Sequence, residues 1–212
     1  MMTKINYFEK IPACAREQEI MARLGYNPHL TVLNELHRDK LAEGIRLGSA
    51  LCNLRGAYRR VKISEHGADY TVIENRQVFQ SANLAKLLCD STELVLLAAT
   101  VGAEIGKVIH HEVTVGDATR GVILDAVASE TADTGLDWLM QLLNQLLSKT
   151  GFKLTRRRYS PGYGDLALPC QRLIYEILEL QRLQLTLTDE YILIPEKSVL
   201  AIAGIEAARC PS

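Results

Sequence analysis

Three consecutive arginines, Arg156, Arg157 and Arg158, run directly into Tyr159-Ser160-Pro161-Gly162-Tyr163-Gly164-Asp165. FKLTRRRYS, residues 152–160, reads as a strand. Alternate side chains of a strand face opposite sides, so this reading places Arg156 and Arg158 on one face and Arg157 on the other. Pro161-Gly162 sets a tight turn, and glycine admits close backbone approach by a ligand. Tyr163 adds an aromatic face and a hydroxyl. A guanidinium at the strand end can receive a carboxylate through two parallel hydrogen bonds. Arginine, bare backbone and aromatic ring together suit a ligand that carries a carboxylate and a flat ring. A purely structural turn beside a solvated basic edge is the competing reading.

Other chemistries have less to stand on. His110 and His111 are adjacent, so on a helix they point about 100° apart and cannot share an ion comfortably. H-E-x-x-H, G-x-S-x-G, G-x-G-x-x-G and the phosphate loop G-x-x-x-x-G-K-[ST] are all absent. VGAEIG, residues 101–106, ends an apolar run and opens a helical one, a place where backbone N–H groups can hold an anion. Close packing of strand on helix explains the same two glycines. The cysteines Cys14, Cys52, Cys89, Cys170 and Cys210 are odd in number and widely spaced. That pattern predicts neither a disulfide framework nor a zinc site, but a reduced, cytoplasmic protein.

The elements that must position these residues follow from periodicity. Residues 14–24 read as a helix stopped by Gly25. Pro28 opens a second helical stretch to about Leu54, with Leu30, Leu33, Leu36, Leu41, Ile45 and Leu47 at helical spacing. Tyr58–Ile63 and Tyr70–Ile73 form a hairpin around His66-Gly67, and a short helix covers Asn83–Cys89. ELVLLAATVG, residues 93–102, is continuously apolar, the signature of a strand buried on both faces. Glu104–Val113 reads as helical. Asp117 caps a long helix over 118–148, although Gly135 in its middle argues against it. Leu168–Leu180 reads as a helix. Strands at 185–188 and 198–204 flank a loop that holds Pro195.

The resulting fold class is α+β: one domain over 1–212 with a twisted, mainly antiparallel sheet and packed helices. Residues 1–60 form its mainly helical N-terminal part. The 212 residues are enough to bury a core without metal or disulfide support. A net charge of −1 gives no electrostatic footprint for nucleic acid. No apolar run has the length of a membrane span, and the N-terminus lacks the apolar core of a secretory signal.

R-x-x-P-G-Y, here Arg158, Pro161, Gly162 and Tyr163, resembles the signature of the activation domain of vitamin B12-dependent methionine synthase. Leu187-Thr188 followed by Pro195-x-x-Ser198-Val199 resembles that family's second block, and 117–203 is the best-matching core. The resemblance implies a short, stand-alone member of the family. It implies S-adenosylmethionine bound by Arg158 through its carboxylate, framed by Pro161, Gly162 and Tyr163. An acidic group on the preceding helix, Glu130 or Asp133, would attract the ammonium or sulfonium. No catalytic side chain and no metal ligand is implied.

Cobalamin would sit on a partner, because the D-x-H-x-x-G cobalt-ligand motif is absent and the synthase's other modules do not fit in this length. The expected partners are a cobalamin-dependent methionine synthase, or another corrinoid protein, and a flavodoxin-like electron donor. The expected function is reductive reactivation of the synthase, a methyltransferase. The family's last strand and helix have no counterpart after Gly204. This raises a second expectation, a non-catalytic docking or assembly subunit of a corrinoid methyltransferase that has lost S-adenosylmethionine binding.

Overall fold

The structure, a computed structural model, describes residues 4–208. In chain order the strands are β1 (Asn6–Phe8), β2 (Arg55–His66), β3 (Tyr70–Ile73), β4 (Gln77–Gln80), β5 (Glu93–Thr100), β6 (Phe152–Leu154), β7 (Thr186–Leu187), β8 (Leu193–Ile194) and β9 (Ser198–Ala207). The helices are α1 (Glu17–Arg23), α2 (Glu35–Leu51), α3 (Ala82–Leu87), α4 (Glu104–Thr114), α5 (Ala118–Ser148) and α6 (Cys170–Ile177). Main-chain pairing orders the sheet β4-β3-β2-β5-β9-β6, with β1 on the free edge of β2. Every pair is antiparallel, and β7 with β8 forms a separate small ribbon. The architecture is α+β, as expected.

β5 is the centre because its sequence can be buried on both faces. Leu94, Leu96 and Ala98 face a core closed by α3, α6 and the 3-10 turn Leu180–Leu183. Val95, Leu97 and Ala99 face the other core, closed by α5 through Leu136, Leu139 and Leu143. α5 begins where its cap predicts: the Asp117 carboxylate accepts from the backbone N–H groups of Thr119 and Arg120. Gly135 sits at its closest approach to the sheet, where a Cβ would stand 3.0 Å from Ala99 Cβ.

Several expectations are corrected. The strand predicted over 152–160 stops at Leu154. Thr155 Oγ1 donates to the Arg157 carbonyl at 2.8 Å and accepts from Gly204 N–H at 3.0 Å, which bends the chain out of the ladder. Thr155 N–H still reaches the Gly204 carbonyl at 2.9 Å, and after it pairing resumes at the Tyr159–Ile202 bridge.

The second helix starts at Glu35, not Pro28, because Asn34 caps it through His37 N–H while Asn27 closes its own turn on His29 N–H. Only part of the expected apolar stripe makes its buried contact: Leu41 and Ile45 pack against Ile20, Ile123 and Val127. Leu30 and Leu36 are exposed, and Gly44 and Gly48 lie against Ile123 and Val127 of α5. The helix predicted over 168–180 ends at Ile177, with Glu179 at φ 45° turning the chain into the 3-10 turn. β1, β4 and β8 were not expected. Each is two to four residues long, too short for its own periodicity to show.

Candidate functional site

Asp125, Ser129, Asp133 and Asp137 are spaced four residues apart on α5, so they share one helix face. Basic side chains from three other segments meet them. Lys197 Nζ lies 2.6 Å from Asp125 and donates to Ser129 Oγ at 3.1 Å. Arg158 pairs with Asp137 through Nη1 and with Asp133 at 3.5 Å through Nη2. Arg23 from α1 pairs with Glu130 and with Asp133 at 3.3 Å. Its hydrogen bond to Glu130 is the main cause of a guanidinium pKa raised above its ordinary value.

The structure therefore brings Arg158 and Asp133 into direct contact. Glu130 joins the same cluster only through Arg23. Arg23, Asp137 and Lys197 complete the site and were not expected. The i, i+4 acidic spacing was a legible signal, whereas nothing local pointed to Arg23.

The arginine triplet departs from the strand expectation. Arg156, Arg157 and Arg158 all line one concavity of about 360 Å³ with Asp137, Met140, Gln141 and Asn144, so Arg157 is not turned to the opposite sheet face. Thr155, which breaks the ladder, also breaks the alternation that would have separated the neighbours.

The turn after Arg158 has Pro161 buried, Gly162 at φ 89° and Tyr163 71% exposed. The Gly162 conformation strains any residue with a side chain. Asp165 ties the turn to the start of α3. Its carboxylate accepts from Ser81 Oγ at 2.5 Å and from Asn83 N–H at 3.1 Å. The Ser81 hydroxyl is the largest cause of an Asp165 pKa lowered to about 2, with the backbone N–H of Asn83 adding to it.

A depressed carboxylate pKa stabilises the fold above the unfolded-state value near 3.8, and that contribution is lost as pH falls through about 2. Asp165→Asn should therefore destabilise at about pH 6, with the gap to the unaltered protein closing as pH falls below about 3. Urea midpoints at several pH values measure it, and a pH-independent gap contradicts it.

The VGAEIG segment also resolves. Gly102 takes φ 81°, which needs glycine, but a Cβ on Gly106 would meet nothing within 4 Å, so close strand–helix packing does not explain that residue. Gly106 instead opens onto a cleft of about 610 Å³ shared with His110, Pro195 and Lys197. Cys14, Cys52, Cys89 and Cys170 carry free thiols, with burial pushing Cys52 up to about 11. Cys210 lies outside the described residues. Among the described residues no group of three or more His, Cys, Asp or Glu is placed to hold a metal ion, and no helix is long and apolar enough to cross a membrane.

The arrangement around Arg158 offers one guanidinium and two carboxylates, groups whose charges are complementary to a zwitterion. A carboxylate can take the place of Asp133 or Asp137 on the guanidinium, while the released aspartate receives the ligand's ammonium. Both exchanges keep every charge paired, which limits the desolvation cost of binding.

The whole chain superimposes on a crystal structure of the MetH reactivation domain bound to AdoHcy, with a TM-score of 0.67, covering 100% of this chain and 81% of that one. Sequence identity is 14%, so the likeness is one of fold. No protein-family model matches the sequence, and no curated protein matches it.

Proposed function

We propose that this chain is a reactivation component for a cobalamin-dependent methionine synthase carried on another chain, binding S-adenosylmethionine and presenting it to the corrinoid. The observation that supports this reading is the pairing of Arg158 with Asp133 and Asp137, on the segment that leads into the Gly162–Tyr163 turn. The site lies on a fold like that of the MetH reactivation domain bound to AdoHcy.

S-adenosylmethionine would supply a methyl group to the reduced corrinoid and leave as S-adenosylhomocysteine. The chain's own residues do positional and electrostatic work. Arg158 holds the ligand carboxylate, Asp133 faces the ammonium with Glu130 close by, and the Pro161-Gly162-Tyr163 turn frames the remainder. The cobalamin belongs to the partner, and the electron comes from a flavodoxin-like donor.

The test is calorimetry with S-adenosylhomocysteine and S-adenosylmethionine, alone and with a corrinoid methionine synthase, followed by recovery of synthase activity under reducing conditions. The expected result is a one-to-one complex and faster recovery when this chain is added. Absence of binding in both settings overturns the proposal. It would favour a docking or assembly subunit that no longer binds S-adenosylmethionine, a reading in which Asp133 and Asp137 simply keep Arg158 for themselves.

A further inference from the structure

Residues 24–34 join α1 to α2 and carry the two most exposed large apolar side chains among the described residues, Leu30 at 81% and Val32 at 94%. This connection is held by its own hydrogen bonds. Asn27 Oδ1 accepts from His29 N–H at 2.9 Å, and the Asn27 carbonyl accepts from Leu30 N–H at 3.0 Å and Thr31 N–H at 2.8 Å. Asn27 N–H in turn donates to Thr31 Oγ1 at 3.1 Å. Leu30 and Val32 therefore form a fixed knob. Thr31 and Leu33, which alternate with them, are half-buried and line an apolar groove of about 370 Å³. Its other walls include Met21 and Leu24 from the α1 side, Leu41 of α2, and Val122 and Ile123 of α5. Val122 is 56% exposed, and Leu36 beside the lining residue His37 is 63% exposed. Exposed apolar surface gathered in this way marks a contact surface.

We infer that a second copy of this chain covers this face, with the knob of each copy seated in the groove of the other. Knob and groove belong to one segment, so a two-fold axis between them makes both contacts at once. A cavity of about 150 Å³ takes a benzene-sized group, so the groove has room for both side chains of the knob. A foreign helix or a small apolar molecule in the groove would leave Leu30 and Val32 in water, whereas a second copy covers them. The charges fit the same occupant. Around Leu36 the first turns of α2 carry Glu35, Arg38, Asp39 and Lys40, and Lys40 and Arg120 pair with Asp117 and Glu43. A two-fold contact sets this rim against itself. A rim of mixed sign can match acid to base there, where a rim of one sign would repel. The net charge of −1 adds little repulsion between copies. Asp133 and Asp137 lie about 16–22 Å along α5 from Val122, at about 1.5 Å per residue, and the dimer holds two Arg158 sites. The inference stands whether or not Arg158 binds a ligand.

The test is sedimentation analysis of the full chain between about 1 and 100 μM. The expected result is a reversible monomer–dimer equilibrium with a dissociation constant inside that range. Val32→Glu, at a position that packs on nothing within its own chain, should raise the dissociation constant at least about tenfold, because it places a charge in an apolar groove. Val122→Lys in the groove wall should do the same from the other side. Ile192→Glu, an equally apolar and exposed position between β7 and β8, should leave the equilibrium unchanged. Urea midpoints of all three variants check that the fold is kept. An equimolar mixture of Val32→Glu and Val122→Lys chains should dimerise more tightly than either alone, since one knob-in-groove contact is intact and the other sets Glu against Lys. A chain that stays monomeric at about 100 μM would overturn the inference, and so would a dimer indifferent to Val32→Glu. Two folded variants that fail to rescue each other would overturn the reciprocal seating of knob in groove.

Discussion

Arg158→Ala should lower affinity for S-adenosylhomocysteine by roughly 10- to 150-fold. A hydrogen bond to a charged group contributes about 1.5–3 kcal/mol, and every 1.4 kcal/mol is about tenfold in affinity. Arg158→Lys should also weaken binding, because an ammonium keeps the charge but loses the planar fork. Arg157→Ala removes the same charge from the neighbouring residue, yet it should cost no more than about fivefold. Arg157 is exposed, and exposed charge pairs contribute about 0–1 kcal/mol.

The contrast holds even though the two residues share a concavity, because Asp133 and Asp137 orient Arg158 alone. Loss of those two pairs should change stability by no more than about 2 kcal/mol, about 0–1 kcal/mol for each, and the urea melts separate that from the binding defect. Calorimetry on the three variants, with urea melts as control, measures all of this. Equal losses at 157 and 158 would show a general electrostatic effect in place of a site.

What could be read from the sequence depended on how local its cause is. α5 was legible because Asp117 and the apolar periodicity after it are both local signals, and the helix spans the predicted 118–148. β5 was legible because a strand buried on both faces is apolar throughout. The break at 155–158 was not legible. It rests on a single hydroxyl that bonds Arg157 and Gly204, a competition that no hydrophobic pattern displays. The face of α2 was only half legible: Leu41 and Ile45 mark it by buried area, whereas Gly44 and Gly48 mark it by close approach, which no apolar pattern displays. Of the site, an acidic group on the helix preceding the turn, Glu130 or Asp133, was legible, but the pairing of Asp133 with Arg158 was not. Arg23 was not, since 110 residues separate it from Asp133 and only the docking of α1 on α5 joins them.

Gly135→Ala should destabilise the fold, although helix propensity alone predicts a gain of about 1 kcal/mol for this change in a helix interior. The added Cβ would stand 2.8 Å from Leu54 Cδ1 and 3.0 Å from Ala99 Cβ. The Leu54 methyl can swing aside. Ala99 Cβ cannot, because it is fixed to the backbone of the central strand, which pairs on both sides with β2 and β9. α5 must then lift from the sheet, loosening Leu136 and Leu139, both fully buried. Overpacking of this kind costs about 1–3 kcal/mol, enough to exceed the propensity gain.

Gly106→Ala in α4 is the matched control. It is the same substitution inside a helix, but its Cβ would meet nothing within 4 Å. There the propensity term should act unopposed and stabilise by up to about 1 kcal/mol. Opposite signs in urea or thermal melts at 135 and 106 are the expected result. A stabilised Gly135→Ala would mean that α5 does not approach the sheet this closely. Gly135→Val should be worse than Gly135→Ala, since its two γ-methyl groups would press further into the layer held by Leu54 and Ala99.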